Sequence, residues 1–500
     1  MFKQRMMWTA ILVTASCAIA GAAELSARGA DAPAIFVAPK GRPTAGGTAE
    51  DPMDLQTALT GGERIAPGTT VWLLGGEYRG QFEHRCAGTK ERPIVFRVAP
   101  DARATIVGGL QIHGKHTRFM GFEITNPNVV VESRFVDYHE SDDVALVNLL
   151  LHDNGVYEVG HNGISCFSQA TNSEICGCLI YNVGKGTRAA SPHAHGIYTQ
   201  NRADVGPKRI DDNMFFRVSG YGIHAYGSAQ GPVHHFHLRR NIVFCNGTGA
   251  LVGGGAPSTD TIFEENCLYG NTSVAAAFGY GGDGTSTGLT VRNNTLAGGP
   301  RPRVLLQLRG YRDAVAIEKN CFVALEAGPL VAVAMPDAAA YAWDGNAYWW
   351  GRNKNFSGIR EPRLFALVRG AFAEYGGWQA LGYDAHSTLS LGFPGVEGKP
   401  VNTVFVSPNR YQKGRGHVAV YNWEGKATVD LDLSAVLLAG EAYLVLDAQD
   451  YFGKPLAEGK WEKGTVAVPL PARDPSPEFA ALVVLSGEAI SYSCRGAGGR

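Results

Sequence analysis

Asp211-Asp212-Asn213-Met214, Arg239-Arg240-Asn241-Ile242, Glu264-Glu265-Asn266-Cys267, Arg292-Asn293-Asn294-Thr295 and Glu318-Lys319-Asn320-Cys321 are five versions of one pattern, in which an Asn sits just ahead of a short strand-like run. Working outward to the N-terminal side, the pattern continues as Ile175-Cys176-Gly177-Cys178, Leu146-Val147-Asn148-Leu149 and Phe119-Met120-Gly121-Phe122. With the Asn or Gly as the mark, successive intervals are 27, 29, 36, 28, 25, 28 and 26 residues. A hairpin repeat is much shorter, whereas one full coil of a three-sided solenoid has this length. The chain is therefore expected to be all-β and to wind as a parallel β-helix.

Stacked coils lie about 4.8 Å apart, pair their backbone edges and bury alternate side chains, which no single coil can do alone. An Asn at one place in each coil both donates and accepts, so it passes hydrogen bonds along the stack. Gly121 and Gly177 are expected in the same column as turn or close-packing residues. The flanking positions alternate in sign, with Asp211, Arg239, Glu264, Arg292 and Glu318 in one column and Asp212, Arg240, Glu265, Asn293 and Lys319 in the next. Opposite charges side by side discourage register slips. These carboxylates are accordingly read as structural.

The 500 residues carry a formal net charge of -1 with 18% charged residues, so there is no field to attract nucleic acid or an anionic membrane. Gly is abundant at 64 residues, as a fold with a sharp turn at each corner requires. Lys3 and Arg5, the apolar run Met7 to Ser16 and Ala18-Ile19-Ala20 form the three sections of a secretory signal over residues 1–22. Export to the periplasm or medium is expected, with no membrane span; lipid attachment at Cys17 is the minor alternative because Thr14 stands where an aliphatic residue is usual. Cys166, Cys176, Cys178, Cys245, Cys267 and Cys321 fall in coil strands with neither metal-site nor disulfide-scaffold spacing, and read as small buried residues, though a disulfide between coils stays open.

Residues 33–110 contain Ala66-Pro67-Gly68-Thr-Thr-Val-Trp-Leu-Leu-Gly-Gly-Glu-Tyr-Arg-Gly80, Gly88-Thr89-Lys-Glu-Arg-Pro93-Ile-Val-Phe96 and Ala104-Thr-Ile-Val-Gly108-Gly109. These resemble the opening coils of right-handed β-helix proteins of the pectate-lyase-like superfamily, and imply a short capping helix, here near Leu55 to Leu59. The similarity extends to about residue 335. His195-Gly-Ile-Tyr-Thr-Gln-Asn201 and Tyr221-Gly-Ile-His-Ala-Tyr-Gly227 resemble an exported bacterial sub-branch of unassigned reaction. The β-helix with its caps is expected over 33–390. Its C-terminal cover would include a helix over Phe365 to Leu381, ending at Gly382. Six alternating runs, Val404-Phe-Val406, His417 to Trp423, Ala427 to Leu433, Ala442 to Leu446, Gly464 to Val468 and Phe479 to Leu485, predict a small antiparallel sandwich over 398–488, with 489–500 as a tail. The sandwich resembles accessory modules of glycan-degrading enzymes; a purely stabilising role fits equally well.

From the column residue to the next Gly-Ile strand there are 9 residues in the Asn213 coil, 15 after Asn148 and 19 after Gly177, so two adjacent coils push loops out at one corner. Such insertions commonly build the binding face of a solenoid. The first loop carries His152, Asp153, Asn154, Tyr157, Glu158 and His161, and the second Lys185, Arg188, His193 and His195. Tyr198, Gln200, Tyr221, His224 and Tyr226 follow. Eight of the fourteen His lie between 152 and 237, and residues near 152, 195 and 224 are expected on one flank.

The coil spacing matches a sugar unit, and Tyr with basic and amide side chains suits a polysaccharide or oligosaccharide. For β-elimination of a uronic acid glycan, His195 or His224 would be the base, Arg188 or Lys185 the neutraliser and Tyr198 or Tyr226 the acid. For hydrolysis, Asp153 and Glu158 are the carboxylates at hand. Noncatalytic glycan binding is the third reading. His152, Tyr157, His161, His193, Gln200, Tyr221 and Tyr226 are candidates for substrate contact. The corner holds more His, Tyr and basic residues than carboxylates, which favours the lyase. The stacked calcium-binding Asp set of pectate lyases proper is missing, so their residues are not carried over. No cofactor is firmly implied; His193-Ala-His195 with His161 could hold a divalent cation. A monomer is expected.

Overall fold

The computed structural model describes residues 33–127, 135–154, 162–184, 193–228, 230–279, 286–298, 304–324, 330–334, 341–351, 365–367, 372–392, 400–471 and 478–493. Its strands stack in parallel on three faces. The first face runs from Ala34–Val37 through Ala170–Thr171, Glu174–Cys176, Lys208–Asp211, Phe236–Arg239 and Ser258–Glu264 to Tyr341–Asp344. The second includes Glu123–Asn126, Leu150–Asn154, Leu179–Val183, Met214–Val218 and Ile242–Phe244, and the third Val136–Tyr138, Ile164–Cys166, Ile197–Thr199, Tyr221–Gly227 and Thr248–Gly254. The long strand Ala104–Ile112 pairs with both Glu123–Asn126 and Val136–Tyr138, so the second and third faces diverge from one continuous ribbon. Inward residues of every coil, among them Leu146, Ile175, Ile210, Leu238, Phe263 and Val291, form one continuous core.

Strand register corrects the expected Asn column. Val147, Cys176, Asp211, Arg239, Glu264, Arg292, Glu318 and Asp344 are direct partners from coil to coil. The next position bends the chain with positive φ, at Asn148 (54°), Gly177 (69°), Asp212 (58°), Arg240 (52°), Glu265 (58°), Asn293 (56°), Lys319 (56°) and Gly345 (68°). Only the position after that is the ladder. Gly121, Asn148 and Gly177 therefore belong to the corner, one residue before the ladder, because Gly and Asn enter the left-handed region with the least strain.

The ladder proper starts at Asn213. Each Asn donates its amide to the next Asn side chain and to a main-chain carbonyl: Asn213 to Asn241 (3.1 Å), Asn241 to Asn266 (3.0 Å), Asn266 to Asn294 (3.0 Å), Asn294 to Asn320 (2.9 Å) and Asn320 to Asn346 (3.1 Å). It ends on Asp384, whose carboxylate accepts from Asn346 (3.0 Å), Tyr348 (2.7 Å) and Trp378 (2.8 Å). A second, shorter ladder links Asn246 to Asn271 (3.1 Å). Part of the expected charge ladder forms: Arg239 and Arg292 flank Glu264 at 2.8 and 2.7 Å, and Arg240 grips Asp212 with two bonds of 2.7 and 2.9 Å, whereas Asp211 pairs with Arg410 at 3.4 Å.

The N-terminal helix Leu55–Thr60 is capped by Asp54, which accepts from the Thr57 N–H at 2.9 Å. At the other end the expected helix shrinks to Tyr375–Ala380, while Phe365–Ala366 and Phe372–Ala373 pair antiparallel. Tertiary stacking of Phe365 on Trp378, 4.5 Å apart, outweighs the helical pattern there. The antiparallel unit has a five-stranded sheet, with Thr403–Pro408, Arg415–Tyr421, Phe479–Ser486, Ala442–Asp447 and Ala457–Lys460 in that order, and a pair Thr428–Asp432 with Thr465–Pro469. Ala457–Lys460 was not legible as a strand, being a short, largely exposed edge without alternation. Residues 489–493, at the start of the expected tail, pack on the solenoid: Tyr492 stacks on Trp72 at 6.1 Å and takes the Arg97 guanidinium over its ring at 4.1 Å. Cys166, Cys176, Cys178 and Cys267 are buried and Cys245 and Cys321 half-buried, with no disulfide between them.

Candidate functional site

The third face carries the candidate site. Parallel register places Ser165, Tyr198, His224 and Leu251 in one outward column, so a strand alternation that buries Ile197 and Ile223 turns Tyr198 and His224 outward on neighbouring coils. Tyr198 stacks on His224 with centroids 4.9 Å apart, and Tyr221 stacks on the same imidazole at 4.2 Å. His195, from the segment entering strand Ile197–Thr199, meets His224 edgewise at 4.2 Å. Tyr226 lies 5.3 Å from His224, Phe167 meets Tyr198 at 5.2 Å, and Gln200 bonds the Tyr226 carbonyl at 3.2 Å.

The protonation states follow from burial. His195 is pushed down to about 3 by burial, with His224 and His193 adding to it, and His224 to about 4 by burial and then His193. Both imidazoles are unprotonated at neutral pH. Nδ1 of His195 accepts from the Tyr221 N–H at 3.2 Å, which leaves its Nε2 to carry the ring proton. Burial raises the Tyr198 phenol, with Tyr226 adding to the effect, so it keeps its proton. An unprotonated base and a protonated acid thus sit side by side on a half-exposed strand face.

Beneath them Lys208 is fully buried, and its ammonium donates to three carbonyls, of Cys166 (3.0 Å), Phe167 (3.0 Å) and Gln200 (2.7 Å). It ties together the strand ends that present Phe167 and Gln200. Toward the N-terminal coils the stripe continues through Asp137 and a stacked pair, His113 and His139, 4.2 Å apart and parallel to within 5°. The two histidines border a cavity of about 740 Å³ with Lys115, Asp142 and Arg202 on its walls. Sequence reading missed Asp137, His113, His139 and Lys208. Aligning Leu110-Gln111-Ile112-His113 and Val136-Asp137-Tyr138-His139 with Ile164-Ser165-Cys166-Phe167 and Ile197-Tyr198-Thr199-Gln200 would have found His113, Asp137 and His139.

His152 and Asp153 are not part of this cluster, contrary to the expectation of one flank for residues near 152, 195 and 224. They sit on the second face, in strand Leu150–Asn154 before the corner, while His195 and His224 follow it. His152 bonds Glu123 at 2.7 Å and Asp153 at 2.8 Å and stacks on Tyr181 at 4.8 Å, under Phe452 of the C-terminal unit at 6.5 Å. Burial opposes its protonation, but the bonds to Asp153 and Glu123 outweigh that and raise its pKa. Burial likewise opposes the Glu123 charge, yet His152 and Arg103 hold that carboxyl at about 2. Asp153 also accepts from Asn182 at 2.8 Å. This is a structural network beneath a packed domain. Tyr157, Glu158, His161, Lys185 and Arg188 lie outside the described residues, as do residues 1–32 with the expected signal. His193 is exposed beside the cluster, and among the described residues no group of three or more His, Cys, Asp or Glu is arranged to hold a metal ion.

No protein-family model matches the chain. It is 23% identical over 209 residues to Uncharacterized protein YwoF of Bacillus subtilis (strain 168), covering 42% of this chain and 41% of that protein. It is 27% identical over 103 residues to a pectate disaccharide-lyase of Dickeya chrysanthemi, covering 21% of this chain and 13% of the other. The chain thus spans less than half the length of these curated relatives. Similar solved structures include pectate lyase Pel9A (15% identity, TM-score 0.45, 63% of this chain and 79% of that one). Another is the GH136 lacto-N-biosidase of Eubacterium ramulus (13% identity, TM-score 0.46, 72% of this chain and 68% of that one). The strand pairing itself makes the chain a parallel β-helix with a small antiparallel C-terminal unit.

Proposed function

We propose that the protein is an exported enzyme that cleaves a uronic-acid-containing polysaccharide by β-elimination. The observation that carries this reading is the contact of His224 with Tyr198 on the half-exposed third face, with His195 against the same imidazole. His224, unprotonated above about pH 4, takes the proton next to the uronate carboxylate. Tyr198 returns a proton to the leaving glycosidic oxygen, and the Nε2–H of His195 is the neighbouring donor for the charge that develops. Lys115 and Arg202, on the walls of the neighbouring cavity, supply positive charge for an anionic chain. Export rests on Lys3, Arg5 and the apolar run after them.

The purified protein is to be incubated with alginate, pectate and glycosaminoglycans while the ultraviolet absorbance of an unsaturated uronate is followed. Absorbance that grows with new chain ends supports elimination. New reducing ends without it reject elimination in favour of hydrolysis, and binding without cleavage across the panel rejects an enzyme.

A further inference from the structure

The seam between the solenoid and the C-terminal sheet holds a buried cation whose donors find no acceptor. Strand Arg415–Tyr421 alternates, with Val418 and Val420 in the core of the C-terminal unit and Ala419 and Tyr421 packed on the second face beside Phe244 and Cys267. The same alternation places Arg415 and His417 on the solenoid side. Arg415 is 1% exposed, yet its Nε, Nη1 and Nη2 have no hydrogen-bond partner among the described residues. His417 is 3% exposed and neither ring nitrogen completes a hydrogen bond, although the ring lies near the Asp212 backbone.

The nearby carboxylates serve other groups. Asp212 is held by Arg240 and Ser407, and Glu174 by Arg410 and Tyr411. Asp211 is pushed up to about 7 by burial and by Asp212, and its nearest cation is Arg410 at 3.4 Å. A guanidinium out of water without a counter-charge is among the costliest of buried groups. Burial, aided by the Arg415 charge, pushes His417 down to about 3, so the imidazole is neutral and offers one N–H donor. His417 also borders a cavity of about 370 Å³, whose other walls include Arg240, Glu265, Phe405, Ser407 and Ala419.

We propose that Arg415 and His417 form a buried binding site for a small monovalent anion of halide size, which completes the joint between the C-terminal sheet and the solenoid. The guanidinium supplies the charge and the imidazole a further donor, and the burial of both side chains keeps a polymer out. The ligand class follows from the donors: two hydrogen-bonding groups and one net positive charge.

The full-length protein tests this. Melting temperature is compared in sodium chloride and sodium gluconate at equal ionic strength, and crystals are soaked in sodium bromide. Chloride should raise the melting temperature by on the order of 1–3 °C over gluconate. The difference should vanish in Arg415→Gln and shrink in His417→Ala, and an anomalous bromide peak should lie within hydrogen-bond reach of Arg415. Identical melting in the two salts, or bromide only elsewhere with water alone on the guanidinium, overturns the proposal. If Arg415→Gln does not fold, the wild-type salt comparison and the bromide map decide without it.

Discussion

Tyr198 and His224 are register partners on adjacent coils, and their rings stack 4.9 Å apart at 20°. Nothing in the linear order puts them together except the coil length of 26 residues between them. Replacing His224 with Ala should lower kcat about a hundredfold or more on the polysaccharide that the protein cleaves, the usual cost of a lost general base. Tyr198→Phe, which keeps the stack and removes the proton, should lower kcat with little change in KM. Steady-state kinetics with circular dichroism as the fold control separates the two; wild-type turnover in His224→Ala excludes its role as base.

Acid stability follows from the buried imidazoles. His84, His195 and His417 lie near 3 and His224 near 4 in the folded chain, all lowered first by burial, against about 6.5 when unfolded. Below pH 6.5 the unfolded chain binds more protons, so stability rises with pH there. Their contribution is fully present above about pH 6.5 and drains away as pH falls toward 3. Asp211, raised to about 7, acts the opposite way, as do His152 and Asp384, which are raised as well. The melting temperature should fall steadily from pH 6.5 to pH 4; a flat profile over that window contradicts the buried, neutral imidazoles.

Asn266→Ala should be severe. Its side chain donates to Leu238 and Asn294 and accepts from the Asn241 backbone and side chain, all in the interior. The loss strands several buried groups and should cost roughly 3 kcal/mol or more in urea unfolding. Asn148→Gly should cost only about 1 kcal/mol, since Gly121 and Gly177 already serve at that corner and only the bonds to Asn409 and Gln412 are lost. Equal losses at the two positions would undo the register assignment.

Tyr421→Phe probes the domain joint. The hydroxyl donates to the carbonyls of Leu268 and Thr295 at 3.2 Å each, from a fully buried ring. Its removal should destabilise the chain by about 1–2 kcal/mol, read from denaturant midpoints. A second, earlier unfolding transition for the C-terminal unit would show the joint loosening first.

The winding of the chain was legible because a solenoid writes its geometry into sequence at short range. Each coil repeats the same demand for a buried Asn, a bend and an apolar strand, so Asn213, Asn241, Asn266, Asn294 and Asn320 announce their stack without any knowledge of distant contacts. The one-residue error at Gly121, Asn148 and Gly177 arose because Gly and Asn satisfy both the bend and the ladder, and only strand pairing tells the two positions apart. The Tyr198, His224 and His195 cluster was legible for the same local reason.

Which face stays open was decided by tertiary structure alone. His152 and His195 look alike in sequence, each beside a loop that lengthens its coil. The C-terminal sheet docks on the second face through Tyr421, Phe479 and Phe452, shutting His152 into a network with Glu123, while Tyr198 and His224 on the third face stay half-exposed among the described residues. That docking joins residues some three hundred positions apart through shape and buried area, and neither leaves a periodic trace along the chain.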